Sequence, residues 1–213
     1  MPRSEQVGVS QSPAGATGEL TLLDWKRRIF DLYAEIRTDP QPRRAWERWC
    51  EVRGELFRSH PQSPLLDARP AYFDYDPALR VYGNVEPVER TRLEIATSGA
   101  GPYSFTRFAR TRFALHDEEQ TLGLYWLDGY GGGLFLSFAD ATSGVETYGA
   151  CRYLLDTVKG ADLGEHDGKL VLDFNFSYNP SCAYDPRWVC PLAPPGNRLA
   201  VRVGGGERAP FVD

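Results

Sequence analysis

The sequence predicts an α+β fold that is mainly β: an N-terminal helical hairpin followed by an antiparallel β-barrel or curled β-sandwich of about eight strands. Three observations predict it. Two amphipathic helical patterns stand near the N-terminus, separated by the breaker DPQP. Short apolar runs bounded by Gly-containing turn signals then continue to the C-terminus. No helical pattern separates these runs, so the strands should be mostly antiparallel.

Composition limits the class of protein. The chain has 213 residues, 42% hydrophobic and 25% charged, so most of it should fold around a core. The net charge of -5 argues against nucleic acid as a partner. No apolar run reaches the length of a membrane span, and the N-terminus lacks the apolar segment of a secretory signal, so we expect a cytoplasmic protein without a membrane partner. The oligomeric state stays open, a homodimer included.

We divide the chain into a tail and one domain. Residues 1–19 are rich in Ser, Gly, Gln and Pro and lack periodicity, which predicts disorder. Residues 20–213 are predicted to form the domain, with the helical hairpin over 20–60, an irregular traverse over 61–78 and the barrel over 79–213.

The helices of the hairpin are predicted over Leu22–Arg37, with Thr21 as its cap, and over Arg43–Ser59. Apolar residues recur every three or four positions in both, so each helix should bury one stripe. Three tryptophans fall on these stripes and are interpreted as core anchors rather than a cofactor site: Trp25, Trp46 and Trp49.

Alternating apolar residues predict the strands Arg80–Gly83, Thr91–Thr97, Tyr103–Leu115, Gln120–Leu127, Leu134–Phe138, Glu146–Leu154, Lys169–Phe176 and Leu199–Val203. The pairs Asp128-Gly129 and Asp167-Gly168 between apolar runs indicate hairpin turns. The glycine-rich run 129–133 is followed by a strand rather than a helix. It is therefore interpreted as a hairpin turn and not as a phosphate-binding loop.

Two stretches concentrate reactive side chains. In LVLDFNFSYNPSCAYDPRWVCPLAPPGN, residues 170–197, strand alternation places Asp173 and Asn175 on one face, and an ordered loop follows Pro180. In DATSGVETYGACRY, residues 140–153, alternation aligns one carboxylate, one phenol and one guanidinium on a strand face: Glu146, Tyr148 and Arg152. Groups of this kind inside a barrel must be paired or must serve a ligand.

These two stretches carry a resemblance to a known family. Together with the HPQSPL segment at residues 60–65, they resemble DUF1684, a bacterial and archaeal family of unknown function. The likeness extends from the first helix to about residue 206, and it implies no activity, since none is known for the family. The chain departs from the usual family pattern at four positions, where Gly, Pro, Ala and Glu are common: Cys151, Ser137, Ser177 and Gly196.

We interpret the polar residues as lining a small-molecule pocket at the barrel mouth. Arg152 would hold an anionic or carbonyl oxygen, Asp173 would act as general acid or base, and Cys182 would serve as nucleophile if a base reached it. Tyr184 and His60 complete the catalytic candidates. The ligand-binding candidates are Glu146, Tyr148, Asn175, Asn179 and Trp188.

Several functions fit this pattern. The first is a cofactor-independent acid–base enzyme of cyclase, isomerase or hydrolase type; the second is a binding module without turnover. The third is a flavin-binding barrel, for which Arg107, Arg110 and Arg112 are the only basic cluster on a strand. In a purely structural alternative, Arg152 and Asp173 form a buried ion pair and the cysteines are small apolar fillers. The four Cys and three His lack metal-site spacing, so no metal is expected.

Overall fold

The computed structural model describes residues 18–65 and 68–212. Two helices come first, α1 (Gly18–Thr38) and α2 (Pro42–Ser59). The strands that follow are β1 (Ala68–Arg69), β2 (Arg80–Ile95), β3 (Tyr103–Leu115), β4 (Glu118–Leu127), β5 (Leu134–Phe138), β6 (Arg152–Asp156), β7 (Glu165–His166), β8 (Lys169–Asp173) and β9 (Phe211–Val212). The predicted tail lies outside the described residues except for positions 18 and 19, which belong to α1.

A seven-stranded antiparallel sheet forms the body of the fold, with the order β6-β5-β4-β3-β2-β8-β7. The sheet curls into a half-barrel, so the predicted fold class is confirmed, in its open form. Strands β1 and β9 make a separate antiparallel pair. The main core lies between the helical hairpin and the sheet, where stripes from both helices meet side chains of β3, β4, β5, β6 and β8.

The helical hairpin follows the predicted pattern, with one correction at its start. Helix α1 begins before Thr21, whose hydroxyl donates to the Gly18 carbonyl at 2.9 Å, so the predicted Thr21 cap is wrong. Trp49 is 1% exposed, and Trp25 and Trp46 pack at the edge of the same core. The interpretation of the tryptophans as core anchors is confirmed.

Strand β2 corrects the prediction of two separate strands over its length. It runs unbroken for 16 residues, because the chain passes Pro87 through a shift in register rather than a turn. Its first four residues pair with β8, and the part from Asn84 onward pairs with β3. One strand thus joins the two parts of the sheet.

Three further predicted strands differ in the structure. Residues 140–151 form a compact turn rather than a strand, because the Thr142 carbonyl accepts three successive backbone N–H groups; β6 starts only at Arg152. After β8 the chain makes a 3-10 turn over Phe174–Phe176, so Asp173 and Asn175 do not share a strand face. Residues 199–203 contain no strand and run as irregular backbone.

The glycine turns agree with the predictions. Asp167 and Gly168 both have positive φ, 49° and 71°, as a two-residue hairpin turn between β7 and β8 requires. The run 129–133 connects the antiparallel strands β4 and β5, so its interpretation as a hairpin turn is confirmed. Among the helices that the structure describes, none combines the length and the apolar character needed to cross a membrane.

Candidate functional site

An apolar pocket of about 190 Å³ opens where three strands of the half-barrel end beside the loop before Pro191. Its walls come from β3, β4 and β5 on one side, and from the turn after β6 and that loop on the other. The lining residues are Tyr103, Phe105, Leu127, Phe135, Asp156, Val158, Lys159, Val189 and Pro191. Seven of these nine are apolar or aromatic, so the pocket suits a ligand that is mostly apolar.

Asp156 and Lys159 supply the charged groups of this pocket. Asp156 is the last residue of β6 and is 6% exposed; a carboxylate oxygen lies 3.8 Å from the ammonium of Lys159. Burial raises the pKa of Asp156, and the charge of Lys159 opposes that effect only in part. The backbone of Asp156 is fixed on its outer side by two hydrogen bonds with Ala161. The pocket therefore holds a rigidly placed carboxyl group with a raised proton affinity.

Two thiols meet beside the pocket. Cys190 stands between the lining residues Val189 and Pro191, and its thiol lies close enough to that of Cys182 for each to shift the pKa of the other. The hydroxyl of Tyr148 lies 3.8 Å from the Cys182 sulfur. Neither cysteine is part of a disulfide; Cys182 is half-buried and Cys190 is buried.

A second polar cluster ties the helical hairpin to the sheet. Arg53 of α2 forms an ion pair with the fully buried carboxylate of Glu207, with Nη2 at 3.2 Å from Oε2. The same carboxylate accepts from the Asn179 N–H at 2.7 Å and from the Tyr184 hydroxyl at 2.9 Å. Burial acts to lower the pKa of Arg53, but the Glu207 charge outweighs it and the pKa is raised. The guanidinium also lies 4.5 Å from the ring centre of Phe57.

A third cluster centres on Arg152, which is 1% exposed. Its Nη2 lies 3.2 Å from Asp140 and donates to the Val203 carbonyl at 2.8 Å, and its Nη1 donates to the Gly205 carbonyl. Asp140 in turn accepts from the Thr142 hydroxyl at 2.9 Å and from the Val203 N–H at 2.7 Å. The pair therefore holds the irregular segment 203–205 against the turn after β5.

Comparison with known proteins places the chain in a family. The family model described as "Protein of unknown function (DUF1684)" matches residues 69–208. The chain belongs to the DUF1684 family. A solution NMR structure of an uncharacterized protein from Haloarcula marismortui is similar to it, with 30% sequence identity and a TM-score of 0.55. That likeness covers 78% of this chain and 95% of the other. No curated protein matches the chain.

Within this DUF1684 fold, Arg152 and Asp173 do not pair. Four strands lie between β6 and β8 in the sheet, so the expectation of a buried ion pair between these two residues is wrong. Asp173 lies 3.1 Å from Arg80 of β2 and accepts from the Asn175 side-chain amide at 2.8 Å. Burial raises the pKa of Asp173, against the effects of Asn175 and Arg80. Asn175 in turn bonds the backbone of Asp76, so this group fixes the start of β2.

The remaining predicted site residues lie in separate parts of the domain. His60 receives a backbone N–H on Nδ1 and lies 3.1 Å from Asp24 through Nε2, which joins the two helices. Glu146 forms a bidentate pair with Arg202 at 2.8 and 2.9 Å. Trp188 is half-buried, and its carbonyl accepts from Ser98 at 3.0 Å.

The structure thus unites the predicted residues in pairs rather than in one pocket. Cys182 meets Tyr148, and Tyr184 meets Asn179 at Glu207. Among the described residues that line the apolar pocket, none belongs to the predicted site. Two of the three arginines considered for a flavin phosphate both lie beside one carboxylate, Glu86: Arg110 at 2.7 Å and Arg112 at 3.2 Å.

Sequence reasoning missed Asp156 and Lys159. The predicted strand ended at Leu154, two residues before the observed end of β6. Extending the alternation from Arg152 through Leu154 would have placed Asp156 at the strand terminus, just before the turn signal VKG. A carboxylate at the junction of a strand and a turn was thus the sequence signal that could have identified Asp156 as a site residue.

Proposed function

We propose that this protein binds a small, largely apolar molecule in the pocket between β3, β4, β5 and the Val189–Pro191 loop. The observation that carries the proposal is a 190 Å³ apolar pocket with one buried carboxyl group in its wall. Drug-sized ligands use pockets of roughly 300 Å³ or more, so this ligand should be smaller. The carboxyl group of Asp156 favours a ligand with one alcohol, phenol or carbonyl group, because a carboxylate accepts a hydrogen bond from a hydroxyl and a protonated carboxyl donates one to a carbonyl.

A pocket-filling substitution tests the proposal. Val158 lies in the turn after β6 and is half-buried, so Val158→Trp should extend an indole into the pocket with little strain on the core. The matched control is Val145→Trp, at a loop position 83% exposed. Phenol and acetophenone are titrated into the protein, and binding is monitored through the amide chemical shifts in NMR spectra. The shifts of residues lining the pocket should change in a saturable way. Val158→Trp should abolish this binding and Val145→Trp should retain it.

Mass spectrometry of the freshly purified protein gives an independent test. A ligand carried through purification would add a mass to the native spectrum that disappears on denaturation, and Val158→Trp should lack it. Saturable probe binding that survives Val158→Trp, or neither probe binding nor added mass in the native protein, would contradict the proposal.

Acid–base chemistry at Asp156 is the second candidate function, favoured by its raised pKa inside an apolar pocket. A protonated carboxyl group can donate a proton to a carbonyl oxygen, and the carboxylate that results can remove one from the adjacent carbon. Solvent exchange of the methyl protons of acetophenone in D2O, followed by NMR, measures this step. We expect the native protein to accelerate the exchange and Asp156→Asn to lose the acceleration while binding persists; no acceleration in the native protein leaves the binding function alone.

A further inference from the structure

The loop between β8 and β9 brings two cysteines together although seven residues lie between them. Cys182 lies in the 3-10 turn Ser181–Ala183, and Cys190 is anchored on the far side of the loop. The Cys190 N–H donates to the Ser98 hydroxyl at 3.0 Å, and the Cys190 carbonyl accepts from the Ser98 N–H at 2.9 Å. A backbone bridge between Thr97 and Pro191 continues this anchor. The buried thiol is thus held in place by the residues that follow β2.

The two thiols differ in exposure. Cys182 is half-buried and can meet a small solute, whereas Cys190 is 3% exposed and lies behind it. An accessible sulfur backed by a second thiol is the arrangement of a redox-reactive cysteine and its resolving partner. Cys50 lies in α2, and Cys151, although it interacts electrostatically with Cys182, is fully buried.

Hydrogen bonds around Cys182 favour its thiolate. Bonding with the Cys190 thiol is the largest cause, and with the Ser98 and Tyr148 hydroxyls it outweighs burial and lowers the pKa of Cys182 to about 6. The same contact with Cys182 raises the pKa of Cys190, followed by burial. Burial raises the pKa of Cys151 and of Cys50 to about 12 in each case. Since the thiolate is the reactive form of cysteine, Cys182 should react first of the four.

We propose that Cys182 and Cys190 are a peroxide-reactive thiol pair that closes into a reversible disulfide. The Cys182 thiolate attacks one oxygen of a hydroperoxide; an S–O bond forms, the O–O bond breaks, and the leaving oxygen departs with a proton as water or alcohol. The sulfur loses two electrons and becomes a sulfenic acid. The Cys190 sulfur, giving up its proton, then attacks Cys182; an S–S bond forms, the S–O bond breaks, and water leaves.

Hydrogen peroxide is the probe that tests this pair. The full chain is first reduced and freed of reductant, and then exposed to one equivalent of peroxide at pH 7. The reaction is quenched with N-ethylmaleimide, and the mass of the denatured product is measured by mass spectrometry. We expect a product lighter by two hydrogens with two thiols left to alkylate, and a digest that links the Cys182 and Cys190 peptides. Added dithiothreitol should restore the starting mass.

Single substitutions separate the two roles. Cys190→Ser should stop at a sulfenic acid on Cys182 that dimedone traps, and Cys182→Ser should give neither product. Cys50→Ser is the matched control and should behave as the native chain. The rate at which peroxide oxidises Cys182 in the native chain should rise with pH to a plateau above about pH 7. Tyr148→Phe should shift that rise to higher pH.

Three results would overturn the inference. One is a native chain unchanged by several equivalents of peroxide. Another is a Cys182→Ser chain that forms a disulfide at the native rate. The third is a native chain that proceeds to sulfinic acid on Cys182 without the linked peptides. The test does not depend on the apolar ligand, because it uses only the purified chain and hydrogen peroxide.

Discussion

Replacing Arg53 by Met should destabilise the protein more than the same replacement at any exposed arginine of α2. The change removes two hydrogen bonds and the counter-charge from Glu207, which is fully buried. Breaking a buried ion pair by removing one partner costs about 3–5 kcal/mol. The Asn179 N–H and the Tyr184 hydroxyl still solvate the carboxylate, so we expect the lower half of that range, about 3–4 kcal/mol.

Thermal and urea denaturation followed by circular dichroism measure this cost. For a chain of this size, 1 kcal/mol shifts Tm by about 2–4 °C, so Arg53→Met should lower Tm by about 6–16 °C. The control is Arg48→Met on the same helix, whose side chain is 49% exposed and pairs with Glu51 at 2.8 Å. Exposed pairs contribute about 0–1 kcal/mol, so the control should lower Tm by no more than about 4 °C.

A double variant checks the physical reason. If the cost of Arg53→Met is an unpaired buried charge, removing that charge with Glu207→Gln should recover stability, and the double variant should unfold at a higher temperature than Arg53→Met alone. An Arg53→Met variant as stable as Arg48→Met would refute the reasoning. So would a double variant less stable than Arg53→Met, because it would assign the cost to packing rather than to charge.

Three further predictions follow from other parts of the fold. Asp140→Ala should cost about 3–5 kcal/mol in urea unfolding, because the Arg152 charge would stay buried without its partner. Asp156→Asn should raise the unfolding free energy at pH 7. A carboxyl group whose pKa is raised by folding destabilises the folded protein once the pH exceeds its unfolded pKa of about 3.9. Below that pH the variant and the native chain should be equally stable. Gly206→Ala should lower Tm more than Gly168→Ala, since both have positive φ but only at Gly206 would the new Cβ lie 2.2 Å from a backbone oxygen; equal losses would show that crowding is unimportant there.

Local signals in the sequence were sufficient for the two helices, for the strands β3, β4 and β5 and for the glycine turns. The helical stripes follow from the three- and four-residue spacing of residues such as Ile29 and Tyr33, both of which are buried. The hairpin turn at Asp167-Gly168 follows from the positive φ that such a pair tolerates. Each of these features is decided within a few residues, where backbone preference and apolar period agree.

Pairing across the sheet was not accessible in the same way. Strand alternation gave Arg152 and Asp173 inward positions, and both are buried, but it did not give their partners. Arg152 meets Asp140 because the chain reverses in a compact turn between them, where a strand had been predicted. Asp173 meets Arg80 because β2 lies between β3 and β8, and that order depends on long-range packing.

Dependence on long-range packing also explains why the candidate pocket was not predicted from the sequence. Its walls come from strands β3 to β6 and from a loop more than 30 residues beyond β6, so no window of sequence contains them. Cys182 and Cys190 could be recognised as neighbours in one loop, but their contact depends on the bridge between Thr97 and Pro191, which spacing alone does not reveal.

The seven-stranded sheet ends in the strands β6 and β7, and each is protected against pairing with a further strand. At one edge, β7 has only two residues, Glu165 and His166, both exposed and polar. At the other, the outward backbone groups of β6 are already bonded, Tyr153 to Tyr178 and Asp156 to Ala161. Short polar edges and occupied edges both resist edge-to-edge aggregation. Extension of the sheet beyond β6 or β7 is therefore disfavoured, and a second chain would have to associate elsewhere on the molecule.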